Sequence, residues 1–404
     1  MRYDCTKFNI IKLNKKTKIM DNFELYNPVK LIFGKGEIAT VSENIPSSAK
    51  ILMTYGGGSI KKNGIYNQVI SALKGYEIIE FGGIEANPQF STAMKAVELA
   101  RKENIDFILA VGGGSVIDAS KFIAVAVDYS GDEWDIPSNK AEINHGVDLG
   151  TILTLPATGS EMNSGAVISR KEINEKRAFE TPFCFPKFSI LDPTVVASLP
   201  KRQLVNGVVD AFVHTIEQYL TYPNNAPLQD RIAEGILLTL VEIGSDVVEN
   251  PSDYNLASNL MWSATMALNG LIGKGVPNDW GTHMIGHELT ALFNIDHGQT
   301  LAIIGPNLYK KLIDSKKEKL AQFGRRVFNL KGNDDLNVAK EAIEKMQEFY
   351  TSLGMKTKIS ELANNAEIAP QIIHDRFVER KWSKLGEKGL ITPEVAMEIV
   401  EMSL

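Results

Sequence analysis

A chain of 404 residues is longer than one ordinary hydrophobic core organises, so two domains are expected. Apolar residues at 44% and charged residues at 23% exclude extensive disorder. The net charge of -6 comes without a long basic run in the body of the chain, which argues against a nucleic-acid partner, and no uncharged apolar stretch approaches the roughly 18 residues that span a bilayer.

The segment 1–19 is lysine-rich and has neither the apolar core nor the small-residue cleavage site of a secretory signal. It is expected to be an extension outside the core fold, with Met20 as the natural start. Only Cys5 and Cys184 are present, which fits a reducing compartment, and the cytoplasm is expected. From Phe23 to Phe33 the residues alternate loosely, as a strand would, before a turn at FGKG. An apolar run, AKILMTY, then meets Gly56, Gly57, Gly58 and Ser59, the pattern of a buried strand opening into a loop and a helix. A helix over NGIYNQVISALKG, a strand over YEIIEFGGI and a helix over STAMKAVELARKENI follow. DFILAVGGGSVIDASKFIAVAV repeats the strand, glycine loop and helix order. Such alternation implies parallel βαβ units with helices on both sheet faces.

In the third unit, Gly112, Gly113, Gly114 and Ser115 stand between strand and helix. Glycines there let backbone N–H groups approach a phosphate at a helix N-terminus, and a bare tight turn is the alternative. Neither GGGS loop is a G-x-G-x-x-G, so the fold is expected to be Rossmann-like only. Asp118 and Lys121 are candidates for orienting that loop or a cofactor. Residues 128–150 read as a polar loop with one short helix, and His145 as exposed. GTILTLPATGSEMNSGAVISR gives a strand and a loop of hydroxyls and amides containing Thr158, Ser160, Asn163 and Ser164. KFSILDPTVVASLP gives another strand. After Pro200 the pattern turns helical, so an α/β domain at 20–199 and an all-helical domain at 200–404 are expected.

The stretch from Gly207 to Gln299 in the helical half holds four of the six histidines. Asp210 and His214 stand four apart in GVVDAFVHTIEQ, and His283 and His287 four apart in WGTHMIGHELT. His297 follows in NIDHGQT. A spacing of four places two side chains on one helix face, one turn apart. Imidazoles with a carboxylate suit a divalent ion such as Fe²⁺ or Zn²⁺. Spacing leaves open which of the five groups is not a ligand. Position 291 is Ala, so the second histidine of a zincin motif is absent and a metalloprotease is disfavoured.

Taken in order, FGKG, the first GGGS, GGGSVIDASK, TLPATGSE, the DAFVH helix and GTHMIGHELTALFNIDHGQT resemble the iron-containing alcohol dehydrogenase family, in its NADPH-dependent aldehyde reductase or butanol dehydrogenase branch. The resemblance runs from about Met20 to the C-terminus. It implies a nucleotide-binding α/β domain facing an all-helical metal domain across a cleft, in a homodimer. It assigns Asp210, His214, His283 and His297 as metal ligands and His287 as a histidine near the substrate. Gly113, Gly114 and Ser115 match its diphosphate positions, with Asp118, Thr154, Thr158 and Lys176 at neighbouring nucleotide positions. Relatives that prefer NAD carry an acid at the end of the first strand, which would repel a 2′-phosphate. Here Gly56, Gly57 and Ser59 supply none, and Lys61 and Lys62 follow, so NADP(H) is expected.

The expected reaction is reversible hydride transfer between the nicotinamide and a small aliphatic aldehyde or primary alcohol. Trp262, Met266, Leu268, Trp280 and Phe293 are candidates for an apolar substrate pocket. A dehydroquinate synthase-like lyase is the competing class, and it would need a basic cluster near the metal that 207–220 and 278–299 do not supply. Glycerol dehydrogenase-like polyol oxidation and a non-catalytic nucleotide-binding or metal-storage role are the remaining alternatives.

Overall fold

The structure is a computed structural model, and it describes residues 19–404. The expectations for Cys5 and for the extension therefore lie outside the described residues, except at Ile19, which is exposed. In chain order the first half runs β1 (Lys30–Phe33), β2 (Lys50–Tyr55), the short α1 (Ser59–Lys62), α2 (Ile65–Ala72), β3 (Glu77–Phe81), α3 (Phe90–Glu103), β4 (Phe107–Gly113) and α4 (Gly114–Ala126). It continues with β5 (Asp148–Leu155), β6 (Gly165–Arg170), β7 (Glu175–Glu180) and β8 (Phe188–Leu191). Six strands form a parallel sheet in the order β1-β8-β5-β4-β2-β3. β2 and β4 are buried almost throughout, as continuous apolar runs covered on both faces must be. α3 buries Ala93, Ala96, Val97 and Ala100, one stripe at helical spacing, and ends at Asn104 in the left-handed conformation.

Two expectations needed correction. The strand begins at Lys30, not Phe23. There, Phe23, Leu25 and Tyr26 are exposed and the Asp21 backbone N–H donates to the Gly275 carbonyl instead of to a neighbouring strand. Residues 165–180, which carry no separate hairpin signal, form the antiparallel pair β6 and β7, with Ser169 opposite Lys176. Its interstrand turn holds Asn174 at φ 50, a left-handed position that Asn tolerates.

After Leu191 the chain is helical, apart from an isolated bridge between Leu385 and Ile391. It comprises α5 (Lys201–Tyr219), α6 (Pro227–Glu249), α7 (Tyr254–Ala267), α8 (Gly281–Phe293), α9 (His297–Lys311), α10 (Ile313–Val327), α11 (Asp335–Ser352), α12 (Ala369–Glu379) and α13 (Pro393–Glu401). No helix among the described residues is long and apolar enough to cross a membrane. α5 packs against α6, α7 and α9, and every residue from Gly207 to Tyr219 is buried. Its polar side chains therefore need partners, because an unpaired buried charge or dipole is costly.

Candidate active site

Two of those polar side chains on α5, Asp210 and His214, are sequence-predicted ligands. Asp210 and His214 lie one turn apart, and Glu217 continues the same face. Gly207 is required one turn earlier: a Cβ there would stand 2.5 Å from the Pro156 carbonyl oxygen, so only glycine lets α5 lie against the loop after β5. α8 brings His283 and His287 on successive turns, and His297 opens α9. Asp210 Oδ1 is 3.6 Å from His214 Nε2, 3.8 Å from His283 Nε2 and 3.5 Å from His297 Nε2. Neither Asp210 Oδ1 nor His283 Nε2, both buried, has a hydrogen-bond partner among the described residues. One carboxylate oxygen facing three imidazole nitrogens in this way is what a divalent cation would satisfy, and the donor set fits iron or zinc. Candidate ligand atoms of Asp210, His283 and His297 lie within 4.8 Å of one another, and the His214 ring stacks on His283 at 4.7 Å.

Glu217 was not singled out from the sequence. It is fully buried, and its Oε2 accepts the His283 Nδ1 proton. Its oxygens also take the first amides of α8, from Thr282 at 2.6 Å and His283 at 3.2 Å. A carboxylate behind a ligating histidine fixes its tautomer, so Nε2 is left to bind. The signal was present as a third acid-or-histidine position on one face of DAFVHTIEQ.

Burial lowers the His214 pKa to about 4, against the pull of Asp210, and it holds His287 and His297 well below the usual histidine range, helped by Lys176. These three rings are neutral at pH 7 and offer lone pairs. Burial would also lower His283, but Glu217 and Asp210 outweigh it and raise it to about 9. A cation and a proton compete for that Nε2, so metal binding would release the proton. Burial alone would raise the Asp210 carboxyl, yet His214 and His283 bring it below its ordinary value.

Trp280, just before α8, has φ 63, a left-handed conformation that is an outlier for a bulky residue. Asp279 holds it there: its N–H donates to the Glu217 carbonyl at 2.9 Å, and its Oδ1 accepts the Gly281 N–H at 2.8 Å. The Trp280 ring then lies 5.5 Å from the His283 ring.

A cavity of about 900 Å³ runs from this cluster to the C-terminal ends of the parallel strands. Asp210, His214, His283, His287 and His297 line one end of it. Gly56, Gly57, Ser59, Gly113, Gly114, Ser115, Asp118, Thr154, Thr158 and Lys176 line the remainder. The sheet order explains why the two glycine loops meet. Tyr55 pairs with Val111, so the loops that follow are neighbours, and the chain leaves β2 towards β3 but β4 towards β5. Loops diverge at such a switch point and leave a crevice for a nucleotide. At Gly114 a Cβ would fall 2.3 Å from Thr158 Oγ1, so glycine keeps the start of α4 open.

Other side chains have narrower roles than the sequence suggested. Asp118 accepts hydrogen bonds from the Ser160 hydroxyl at 2.6 Å and the Val167 N–H at 2.9 Å, so both its oxygens hold protein. Lys121 is fully buried and donates to Ser160, Asn163 and the Gly165 carbonyl, which orients that loop. Lys176 donates to Asn87 Oδ1 at 2.9 Å, and the Asn87 N–H donates to Ser115 Oγ at 3.3 Å. Asn87 was missed because it lies in an unpatterned loop. The expected use of Lys61 near the first glycine loop is corrected: its ammonium donates to Glu80 at 2.9 Å and sits over the Tyr55 and Tyr66 rings. Of the apolar candidates, Leu268 and Trp280 line the cavity, whereas Trp262 packs against Phe33 away from it.

Comparison with known proteins covers most of the chain. Residues 28–193 match the family described as iron-containing alcohol dehydrogenase, and residues 204–383 match the C-terminal part of the Fe-containing alcohol dehydrogenase family. The chain is 49% identical to the NADPH-dependent aldehyde reductase YqhD of Escherichia coli over 386 residues, 95% of this chain and 99% of that protein. It is 39% identical to NADH-dependent butanol dehydrogenase A of Clostridium acetobutylicum, over 95% of this chain and 100% of that one. The crystal structure of Escherichia coli YqhD superimposes with a TM-score of 0.94 at 47% identity, covering 96% of this chain and 100% of that one.

Proposed function

Because this chain belongs to the iron-containing alcohol dehydrogenase family, we propose that it is a metal-dependent aldehyde reductase that uses NADP(H) and acts on small aliphatic aldehydes and primary alcohols. The observation that carries the reading is Asp210 Oδ1, buried without a hydrogen-bond partner and facing three imidazole nitrogens at one end of a cavity whose other walls are glycine loops. Residues 20–199 are the nucleotide half and 200–404 the metal half. Asp210, His214, His283 and His297 would hold one Fe²⁺ or Zn²⁺. Gly113, Gly114 and Ser115 would receive the diphosphate at the start of α4, beside Gly56, Gly57 and Ser59. Asp118, Thr154, Thr158 and Lys176 would complete the nucleotide wall. We place the protein in the cytoplasm as a homodimer, for which the exposed Phe23, Leu25 and Tyr26 ahead of edge strand β1 speak.

When bound, a divalent ion polarises the carbonyl and steadies the charge that develops on its oxygen. In the reduction, a bound dihydronicotinamide would supply the hydride to the carbonyl carbon and one proton would go to the oxygen, giving alcohol and oxidised cofactor. The chain's part is to hold the two reactants in register and bring that proton. His287 sits 5.2 Å ring to ring from His297 and lines the cavity. Its depressed pKa makes it a neutral relay, taking a proton on one nitrogen as it gives one from the other, and not a stored imidazolium. His287→Ala is expected to lower kcat about 10²-fold while leaving the NADPH Kd near the parent value. Unchanged kcat and an unchanged pH profile would remove His287 from the route.

Support for NADP(H) is the absence of an acid in Gly56–Ser59 and the NADPH in the name of the 49% identical relative. The butanol dehydrogenases named as NADH-dependent, at 39% and 42%, stand on the other side. Following reduced-cofactor absorbance with butanal decides between them. We expect kcat/KM for NADPH to exceed that for NADH by at least about tenfold, a difference of ~1.4 kcal/mol. Comparable values for the two cofactors would sink the preference.

A further inference from the structure

The β6–β7 hairpin carries Lys176 into the cavity, yet it is a separate two-stranded sheet, and such a pair has little stability of its own. At its β6 start it is tied down by the Val167 N–H on Asp118 and by Lys121 on the Gly165 carbonyl. At its turn end the Ser169 N–H donates to the Pro88 carbonyl at 2.9 Å and Lys176 reaches Asn87, and Arg380, just past α12, joins β7 to α8. Arg380 Nε lies 3.7 Å from Oε1 of Glu175, the first residue of β7, whose Oε1 also accepts Arg177 Nη2 at 2.9 Å. Through Nη1 the same guanidinium donates to Glu288, which follows His287 in α8 and is buried. The Arg380 side chain is 10% exposed and stacks over Trp382.

One planar cation thus bridges the strand that bears Lys176 and the helix that bears His283 and His287. Lys176 and His287 stand on the two walls of the cavity. The guanidinium is hydrogen-bonded to Glu288, meets Glu175 as an ion pair at 3.7 Å and lies over the Trp382 ring, which together restrict its position. Glu288 also accepts Arg376 Nη1 at 2.8 Å, so loss of Arg380 would not leave that buried acid unpaired. What would be lost is the link to Glu175.

We propose that Arg380 is a positioning residue that sets the separation of the β7 and α8 walls, and with it the placement of Lys176 relative to His287. The inference rests on the nucleotide and hydride-transfer reading given above. The test compares Glu175→Gln, Arg380→Met, Arg380→Lys and the double variant Glu175→Gln/Arg380→Met in metal-loaded protein. NADPH Kd is read by fluorescence titration, kcat and KM with butanal, and stability by thermal unfolding. Glu175→Gln is expected to keep the parent unfolding midpoint while raising NADPH Kd severalfold and lowering kcat about tenfold, because small misplacements at reacting groups are costly. Arg380→Met should show the same losses in Kd and kcat together with a lower unfolding midpoint, since it also takes a guanidinium from buried Glu288. Arg380→Lys should restore only part of the loss, and the double variant should bind NADPH and turn over no worse than Arg380→Met, since both changes cut the link between Arg380 and Glu175. Parent-like Kd and kcat in Glu175→Gln, or losses that multiply in the double variant, overturn the proposal. A parent protein that binds NADPH but reduces no aldehyde would overturn the functional reading instead, and the Kd comparison would still test the link.

Discussion

Asp210→Ala protein is expected to purify without a divalent ion, to bind NADPH as the parent does, and to reduce butanal at least about 10³-fold more slowly, since several kcal/mol of charge stabilisation at the carbonyl go with the ion. The reason is geometric. Asp210 Oδ1 lies within 3.8 Å of all three imidazole nitrogens, so its removal takes away the carboxylate of the candidate group Asp210, His283 and His297. The glycine loops hang from β2, β4 and β5 and do not depend on the ion, which is why nucleotide affinity should survive. Glu217→Gln is expected to be graded, weakening metal affinity about 10- to 100-fold by freeing the His283 ring. Elemental analysis with an NADPH titration checks both. Full metal content or parent activity in Asp210→Ala would discard the proposed centre.

Lys316→Met is expected to cost about 3–5 kcal/mol of stability, the usual effect of removing one partner from a buried ion cluster. Lys316 is 2% exposed and donates to Asp279 Oδ2 at 2.7 Å, to the Leu220 carbonyl at 2.8 Å and to both Glu387 oxygens at 2.9 Å. One ammonium therefore faces two acids. Burial would raise the Asp279 carboxyl, but Lys316 brings it below its usual value. Burial pushes Glu387 up to about 7, helped by its hydrogen bond with Asp279 and opposed by Lys316. A carboxyl with a raised folded-state pKa binds its proton more tightly in the folded protein than in the unfolded one. Its contribution is then present below the ordinary carboxylate range and is lost as pH rises through about 7. The unfolding midpoint should accordingly fall between about pH 5 and about pH 7, and Glu387→Gln should flatten that slope. Thermal scans across this range decide it; an equal slope in Glu387→Gln, or a parent-like midpoint in Lys316→Met, would count against the cluster. Because Asp279 also holds Trp280 and Gly281, the same loss should loosen the start of α8.

The alternation of apolar runs with glycine loops made the parallel sheet legible, since strands covered on both faces must be apolar throughout, as β2 and β4 are. The β6–β7 hairpin was not legible. Its residues EKRAFE and GAVISR lack a clean two-residue period because its faces meet α4, α8 and the cavity at once. Spacing put Asp210 with His214 and His283 with His287, but it treated all five metal candidates alike. The separation of His287 from the others came from the family resemblance; in the structure three imidazole nitrogens approach Asp210 Oδ1, and the His287 ring lies 5.2 Å from that of His297.

By itself the sequence determined the two-part architecture, the glycine loops and the helix-borne acid and histidines, because each is a local pattern in which backbone freedom or periodicity shows directly in residue type. Only the tertiary structure decided where charges go. It turned Lys61 away from the first loop to Glu80, gave both Asp118 oxygens to protein partners, and put Glu217 behind His283 and Arg380 between Glu175 and Glu288. Such pairings join residues far apart in the chain, and what selects among the many cations and acids available is burial, which makes an unpartnered charge costly.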